Sequence, residues 1–223
     1  MDRATRQFAN WIITGRKSDG PAFLFSESPH MRFFHPEAGL RTKIIHHNRW
    51  RHCRACHLHD QCNQIVLWRG IVPCHCLFIG EAPGEAEDLF GHPFVGRSGS
   101  HLETIIEIVE EEYGKFTHAF TNAIACAPYQ PGGGLRAPKL DEVKACSLRL
   151  VEFVELANPR VIIYVGDIAQ STRAELERTH HGSHAADIRH PSSMLRDENR
   201  CLFYTRQAAA IVLGALQRAG HRV

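Results

Sequence analysis

The chain has 223 residues, 43% of them hydrophobic, so it is long enough for one large domain or for one domain with an extension. It lacks a run near the roughly 18 apolar residues of a membrane span, and its first residues lack the apolar stretch of a signal peptide. We therefore predict a cytoplasmic protein without a membrane partner. In that compartment, its eight cysteines indicate metal binding or free thiols more than disulfides.

The net charge of +2 gives no global signature of nucleic-acid binding, but the charges are unevenly distributed. Residues 1–56 carry ten Lys or Arg against four Asp or Glu, and residues 189–223 carry six against two. Residues 80–112 carry nine acidic residues and one Arg. Basic ends beside an acidic middle would suit a rim that faces phosphates. Ordinary surface charge explains the same distribution equally well.

The first fifty residues give little regular pattern. Residues 1–20 are compatible with a helix, whereas residues 21–45 are aromatic without a clear period, which predicts irregular structure packed on the main domain. Cys53 and Cys56 follow as a Cys-x-x-Cys pair among several histidines, a combination typical of a metal site. The alternatives are a non-ligating pair, or a local zinc site that also uses later cysteines such as Cys62, Cys74 and Cys76.

Strands and helices alternate through the rest of the chain. Cys76–Gly80 is a short apolar run that ends in Gly-Glu-Ala-Pro-Gly, which predicts a buried strand and a tight loop. Residues 160–166 are almost continuously apolar, as in a strand covered on both faces. Two further strands are predicted, at 118–122 and before His190, with helices at 100–112, 141–157, 167–178 and 204–219. This order predicts a three-layer α/β/α fold with a central, mainly parallel, four-stranded sheet and an atypical N-terminal extension.

In such a sheet, ligands bind outside the carboxyl ends of the strands. The first predicted strand leads there into an acidic loop, the second ends at Asn122, and the last leads to His190. Each feature alone is more often structural, because an acidic loop is commonly a solvated turn and a histidine commonly a surface residue. Their occurrence at several strand ends of one sheet indicates a site. The carboxylates of the loop are Glu81, Glu85, Glu87 and Asp88.

Four short motifs together resemble the uracil-DNA glycosylase superfamily and, within it, the iron–sulfur-containing family 4. The resemblance covers roughly residues 50–220, which divides the chain into an N-terminal extension, 1–50, and a glycosylase-like domain, 51–223. The motifs are Gly80-Glu81-Ala82-Pro83-Gly84, Pro93-Phe94-Val95-Gly96, Thr121-Asn122 and His190-Pro191-Ser192.

The resemblance implies an enzyme that flips uracil out of DNA and hydrolyses its N-glycosidic bond, leaving an abasic site. It implies that His190 donates a hydrogen bond to the departing base, with Glu81 as the neighbouring catalytic carboxylate. The implied partner is DNA, bound by a monomer. The implied base-binding residues are Ala82, Glu87, Phe94 and Asn122, and the implied DNA-binding residues are Ser192, Ser193, Leu195 and Arg196.

The resemblance also implies a structural 4Fe-4S cluster held by Cys53, Cys56, Cys126 and Cys146. Whether another cysteine replaces one of these ligands is open from sequence. Ala125 and Ala127 stand where family 4 often has basic residues, which leaves the preferred base open. The alternatives are therefore a glycosylase that removes a different or modified pyrimidine, a non-catalytic DNA-binding metalloprotein, and a zinc protein.

Overall fold

A computed structural model of the chain describes residues 36–220, with side chains from residue 41. The described residues belong to one unit, Pro36–Val223. The helix predicted within 1–20 lies outside the described residues, as does most of the predicted extension, so the division at residue 50 stays a prediction. None of the described helices is long and apolar enough to cross a membrane.

The described chain folds around a five-stranded sheet with the order β1-β3-β2-β4-β5. The four strands β2 to β5 are parallel, and β1 pairs antiparallel with β3 at one edge. Every residue of β2 and of β4 is buried, as expected for central strands covered on both faces. The strands are β1 Trp68–Gly70, β2 Cys76–Gly80, β3 His118–Asn122, β4 Val161–Val165 and β5 His184–Ile188.

The sheet has one strand more than the four predicted. The additional strand, β1, has only three residues, and none of them is buried. Three residues are too few for a period-two pattern to stand out, so the sequence signal for β1 was absent rather than misread.

Helices cover both faces of the sheet, which confirms the predicted three-layer α/β/α class. On one face, Phe78 and Phe120 of the sheet pack with α3 and α8. On the other face, Leu77 and Ile79 pack with α4 and α6. The helices are α1 Pro36–Trp50, α2 Glu85–Phe90, α3 Arg97–Tyr113, α4 Leu140–Ala157, α5 Asp167–Ser171, α6 Arg173–Thr179, α7 Pro191–Arg196 and α8 Cys201–Arg218.

Three helices differ from the prediction. Helix α1 lies partly where irregular structure was predicted, up to residue 45. The buried side chains of this helix are His46 and Trp50, while Ile44 and Ile45 are exposed. Apolarity was therefore a poor guide to its buried face. Helix α2 lies where an acidic loop was predicted. The helix predicted at 167–178 is broken at Thr172, whose hydroxyl donates a hydrogen bond to the Ala169 carbonyl.

His46 is the one histidine of α1 that is buried, with 5% of its surface exposed. Its Nε2 lies 3.5 Å from the Arg149 carbonyl oxygen, and its Nδ1 has no partner within the described residues. Burial is the main cause that lowers the pKa of His46 to about 4. The unfolded chain therefore takes up a proton at a higher pH than the folded one does.

The neutral His46 contributes stability that is complete above pH 6.5 and is lost as the pH falls toward 4. We expect the free energy of unfolding to drop between pH 7.5 and pH 5, with about 1–2 kcal/mol of the loss due to this residue. His46→Leu should remove that part of the pH dependence in urea unfolding, and His47→Leu, a change at an exposed neighbour, should not. Equal losses in the wild type and His46→Leu would contradict this assignment.

Candidate active site

The carboxyl ends of the parallel strands meet at one edge of the sheet and form a pocket of about 260 Å³. The end of β2 contributes Glu81, the end of β3 contributes Asn122, and the segment after β5 contributes His190. The structure therefore brings together both predicted catalytic residues and all four predicted base-binding residues. The complete lining is Glu81, Ala82, Pro83, Gly84, Glu87, Phe94, Ser98, Asn122, Pro128, Leu135, Arg136, His190 and Ser192.

Glu81 is the first residue after β2 and is partly buried in the pocket wall. Burial, and to a smaller extent the nearby carboxylate of Asp167, raises the pKa of Glu81. Asp167 begins α5, directly after β4, and was not among the residues predicted from the sequence. The carboxylate of Glu81 thus lines the pocket, and that of the exposed Asp167, at the neighbouring strand end, acts on it from outside the lining.

Glu87 joins the two loops that form one wall of the pocket. One carboxylate oxygen accepts a hydrogen bond from the Gly84 amide (3.1 Å), and the other accepts from the amides of Val95 (3.0 Å) and Gly96 (2.8 Å). These three donors compensate the burial of a charge that is only 9% exposed. Glu87 therefore fixes the distance between the Gly84 turn and the loop that carries Phe94.

Phe94 adopts a positive φ of 57°, which is unfavourable for a residue with a bulky side chain. Arg69 of β1 holds this conformation, because its Nε donates to the Pro93 carbonyl (2.6 Å) and its Nη2 donates to the Phe94 carbonyl (3.0 Å). The same guanidinium lies over the Phe120 ring and pairs with Glu103. Arg69 was not predicted as a site residue because its strand, β1, was not predicted.

Gly80 lets Phe94 and Asn122 approach each other at the end of β2. A Cβ at residue 80 would lie 2.5 Å from the Phe94 ring and would overlap the Asn122 side-chain oxygen. An aromatic face and an amide edge are therefore adjacent in the pocket. The Asn122 side chain presents both a donor and an acceptor there.

His190 caps the N-terminus of α7, and this role sets its tautomer. Its Nδ1 accepts a hydrogen bond from the Ser192 amide (3.2 Å) and lies 2.8 Å from the Ser192 hydroxyl. Because Nδ1 is an acceptor, the proton of the neutral ring is on Nε2. Burial, followed by the charge of Arg196, lowers the pKa of His190, so the ring is neutral near pH 7.

The predicted DNA-binding residues lie on α7, a short helix that directly follows His190. Ser192 lines the pocket, Ser193 accepts a hydrogen bond from Arg189, and Arg196 is exposed at the end of the helix. Leu195 is partly exposed beside them. All four residues are thus on one short element that leads away from the pocket.

Arg136 is a pocket residue that was not predicted from the sequence. It follows the glycine-rich segment, where Tyr129 and Leu135 form an antiparallel bridge. Its guanidinium donates twice to the buried Glu142 carboxylate, at 2.9 and 2.5 Å, and this pairing is the main cause that lowers the pKa of Glu142. Glu142 thus holds a fixed cation at the pocket.

The four predicted ligand cysteines, Cys53, Cys56, Cys126 and Cys146, line one cavity on the α4 side of the sheet, and all are free thiols. Within residues 36–220, no three His, Cys, Asp or Glu side chains converge in the manner of a metal site. The thiols therefore surround the cavity without meeting in it. Burial raises the pKa of Cys56, and a hydrogen bond with Cys62 together with burial raises that of Cys126.

The other cysteines near this part of the sequence are placed differently. Cys62 contacts Cys126 but is not part of the cavity lining. Cys74 and Cys76 lie in the cores on the two faces of the sheet, and burial raises the pKa of Cys74 to about 12. Ala125 and Ala127, which were compared with basic residues, are both buried.

With this geometry established, comparison with known proteins assigns the class. Residues 73–211 match the family model described as the uracil DNA glycosylase superfamily. The chain belongs to that superfamily, as its sequence motifs indicated.

Within the superfamily, the chain is similar to type-4 uracil-DNA glycosylases. It is 35% identical to that of Thermotoga maritima over 123 residues, which cover 55% of this chain and 61% of the relative. It is 36% identical to that of Archaeoglobus fulgidus over 121 residues (52% and 56%), and 32% identical to that of Pyrobaculum aerophilum over 130 residues (58% and 63%). The match spans about three fifths of the length of these relatives.

The protonation state of His190 can be tested directly. We expect nitrogen-15 NMR to find the proton on Nε2, and a titration to give a pKa below 6.5 because burial disfavours the charged ring. The signals can be assigned by their loss in His190→Gln. Ser192→Ala removes the hydroxyl beside Nδ1 and should reduce the preference for this tautomer. A ring with a protonated Nδ1, or one that titrates above 6.5, would show that the pocket presents a different donor.

Proposed function

We propose that this protein is a monofunctional DNA glycosylase that hydrolyses the N-glycosidic bond of uracil in DNA and leaves an abasic site. The observation that carries the proposal is the convergence of Phe94, Asn122 and His190 on one pocket at the carboxyl edge of the sheet. The similarity to type-4 uracil-DNA glycosylases supports the choice of base.

A flipped uracil is planar and presents alternating donors and acceptors on its edge. We propose that the Phe94 ring stacks on the base and that the Asn122 amide pairs with its O4 and N3–H. Ala82 leaves space in the pocket wall. We propose that Glu87 faces the C5 side of the base, where its fixed carboxylate would exclude the methyl group of thymine. The three hydrogen bonds to Glu87 favour this role because they prevent the side chain from moving aside.

The bond to be broken separates a positively charged sugar from a departing base anion, and both charges need stabilisation at the same time. The Nε2–H of His190 is the donor available for the base oxygen that gains electrons. A neutral donor suffices, so its lowered pKa does not impair it. Glu81 lies on the opposite loop, where its carboxylate favours the positive sugar and can orient the water that adds to it.

The DNA around the flipped nucleotide is proposed to contact α7 through Ser192, Ser193, Leu195 and Arg196. A second region extends this surface. It lies at the far end of α2, about 9 Å from the start of that helix at the pocket. It is a wide groove, and none of the described residues that line it is acidic, which suits a phosphate backbone. The cationic, histidine and aromatic residues of this basic groove are His47, Arg51, His52, Arg54, His59, Phe90 and His92.

We propose that the four-cysteine cavity holds a 4Fe-4S cluster. Four free thiols around an apolar cavity are soft donors, which suit iron–sulfur or zinc and do not suit hard cations. The cluster would tie the segment after α1 to α4 and to the segment after β3. Its contribution is structural, because hydrolysis of a glycosidic bond involves no electron transfer.

A panel of oligonucleotides, each with one altered base, tests the function. We expect single-turnover excision of uracil, and no excision of thymine, measured by cleavage at the abasic site. His190→Ala should slow uracil excision by about 100- to 1000-fold, the usual cost of losing a donor to a developing anion. Binding to DNA with an uncleavable uracil analogue should change far less, since the donor acts mainly as charge develops.

Other outcomes of the panel are informative. A wild type that ignores uracil but releases a pyrimidine with a larger C5 substituent has a different substrate, and the role of Glu87 is then wrong. A wild type that binds DNA and releases no base is a non-catalytic binding protein. Loss of binding in His190→Ala with unchanged turnover of bound substrate would make His190 a DNA-positioning residue.

Metal analysis with a visible spectrum tests the cluster. We expect about four irons per chain and a brown protein, and Cys146→Ala should lose both because it removes one of four ligands. Cys201→Ala, a change at a partly buried cysteine of α8, should keep the colour. Cys62→Ala should keep it too, since Cys62 does not line the cavity. A colourless protein with stoichiometric zinc would indicate a zinc site in the same cavity.

A further inference from the structure

Arg149 of α4 is the largest fully buried side chain of the described residues, with only 2% of its surface exposed. Its guanidinium lies between the cysteine cavity and the base pocket. Nε donates to the Cys146 sulfur (3.4 Å), Nη1 donates to the Thr121 hydroxyl (2.9 Å), and Nη2 donates to the carbonyls of Asn122 (2.5 Å) and Ala123 (3.0 Å). Each nitrogen of the guanidinium therefore donates at least one hydrogen bond.

Its charge, however, has no carboxylate partner within the described residues. Three other arginines whose side chains are partly buried each have one, since Arg69 pairs with Glu103, Arg136 with Glu142 and Arg173 with Asp187. An arginine cannot escape the cost of burial by losing its proton, and a buried charge is costly unless an opposite charge lies nearby.

The cysteine cavity is the place where that opposite charge can arise. Arg149 lines this cavity, and its Nε points at Cys146, one of the four thiols. Glu142 also lines the cavity, but its carboxylate accepts hydrogen bonds from Arg136 and from the Lys139 amide. Thiols are neutral, whereas four metal-bound thiolates around a cluster carry net negative charge.

We propose that Arg149 is the counter-charge of the thiolate-held group in this cavity and that it positions the base-reading Asn122 from the same guanidinium. The inference rests on the proposed cluster. The Nε of the guanidinium faces Cys146, and its Nη2 holds the carbonyls of Asn122 and Ala123 at the end of β3. The occupied cavity and the pocket therefore share one rigid contact. Arg149 is thus a positioning residue that does not itself touch the base.

The two parts of this role respond differently to substitution. Loss of a nearby positive charge makes it harder to add an electron to the cluster, so Arg149→Met should shift its reduction potential to a more negative value. Arg149→Lys keeps the charge but loses the fork, so its potential should stay near that of the wild type. Both variants should bind DNA with an uncleavable uracil analogue more weakly, on the order of tenfold, because the Asn122 carbonyl loses its donor.

The experiment compares the wild type, Arg149→Met, Arg149→Lys and a control, Arg173→Met, in which an arginine with its own carboxylate partner is removed. Each is measured for iron content, reduction potential by spectroelectrochemistry, and affinity for the analogue. Arg173→Met should lose thermal stability without a change in potential or affinity. If Arg149→Met does not retain iron, Arg149→Lys should still do so; a Lys variant that loses iron as completely as the Met variant would show that charge is not the reason.

A second measurement does not depend on which metal is bound. Arg149→Met should lower the melting temperature of the metal-loaded protein more than that of the protein after chelation, because only the loaded cavity supplies the anion. Equal effects, or an unchanged potential in iron-loaded Arg149→Met, would overturn this inference alone. A wild type that binds neither iron nor zinc would overturn the proposed cluster and this inference together.

Discussion

The carboxylate of Glu87 is the interaction on which the pocket depends. It is buried, and it is stabilised by backbone amides from the two segments that flank α2, the turn before the helix and the residues after Phe94. Without it the strained backbone of Phe94 would be held from one side only, by Arg69 of β1. Strain of this kind persists only where the surroundings determine the conformation, and here a carboxylate and a guanidinium do so from opposite sides.

The same edge of the sheet separates charge across the pocket. The carboxylate of Glu81 lines the pocket from the end of β2, while His190 presents a neutral N–H from the segment after β5. This separation follows from the parallel topology, because the parallel strands all end at the same edge and the residue at each strand end can differ in charge. Such an arrangement suits the cleavage of a bond into a cation and an anion, because neither the loop after β2 nor the loop after β5 has to move.

Much of this could be predicted from the sequence, because the signals were local. The apolar runs of the strands and the short motifs at their ends were enough to identify Glu81, Asn122 and His190. The residues that were missed act at a distance: Arg69 is on a strand of three residues, and Arg149 is in the middle of an amphipathic helix that also carries several exposed charges. The hydrogen bonds that they donate to other elements span 24 to 34 residues of the chain, and no periodicity encodes such pairs. Helix α1 was misjudged for a related reason, since the side chains it buries include a histidine while its isoleucines are exposed.

Helix α4 connects the cysteine cavity to the pocket through the contacts of two charged side chains, Glu142 and Arg149. Near the start of the helix, Glu142 lines the cavity and holds Arg136 at the pocket. One turn after Cys146, Arg149 donates hydrogen bonds to the carbonyls of Asn122 and Ala123 at the end of β3. Both contacts depend on the position of the helix relative to β3, and the cavity lies between the two. A group that draws Cys126 and Cys146 together would therefore fix the helix against the strand end. The proposed cluster, although it has no chemical role, would then determine how precisely Asn122 and Arg136 are held, because Arg149 and Glu142 belong to the helix that carries one of its proposed ligands.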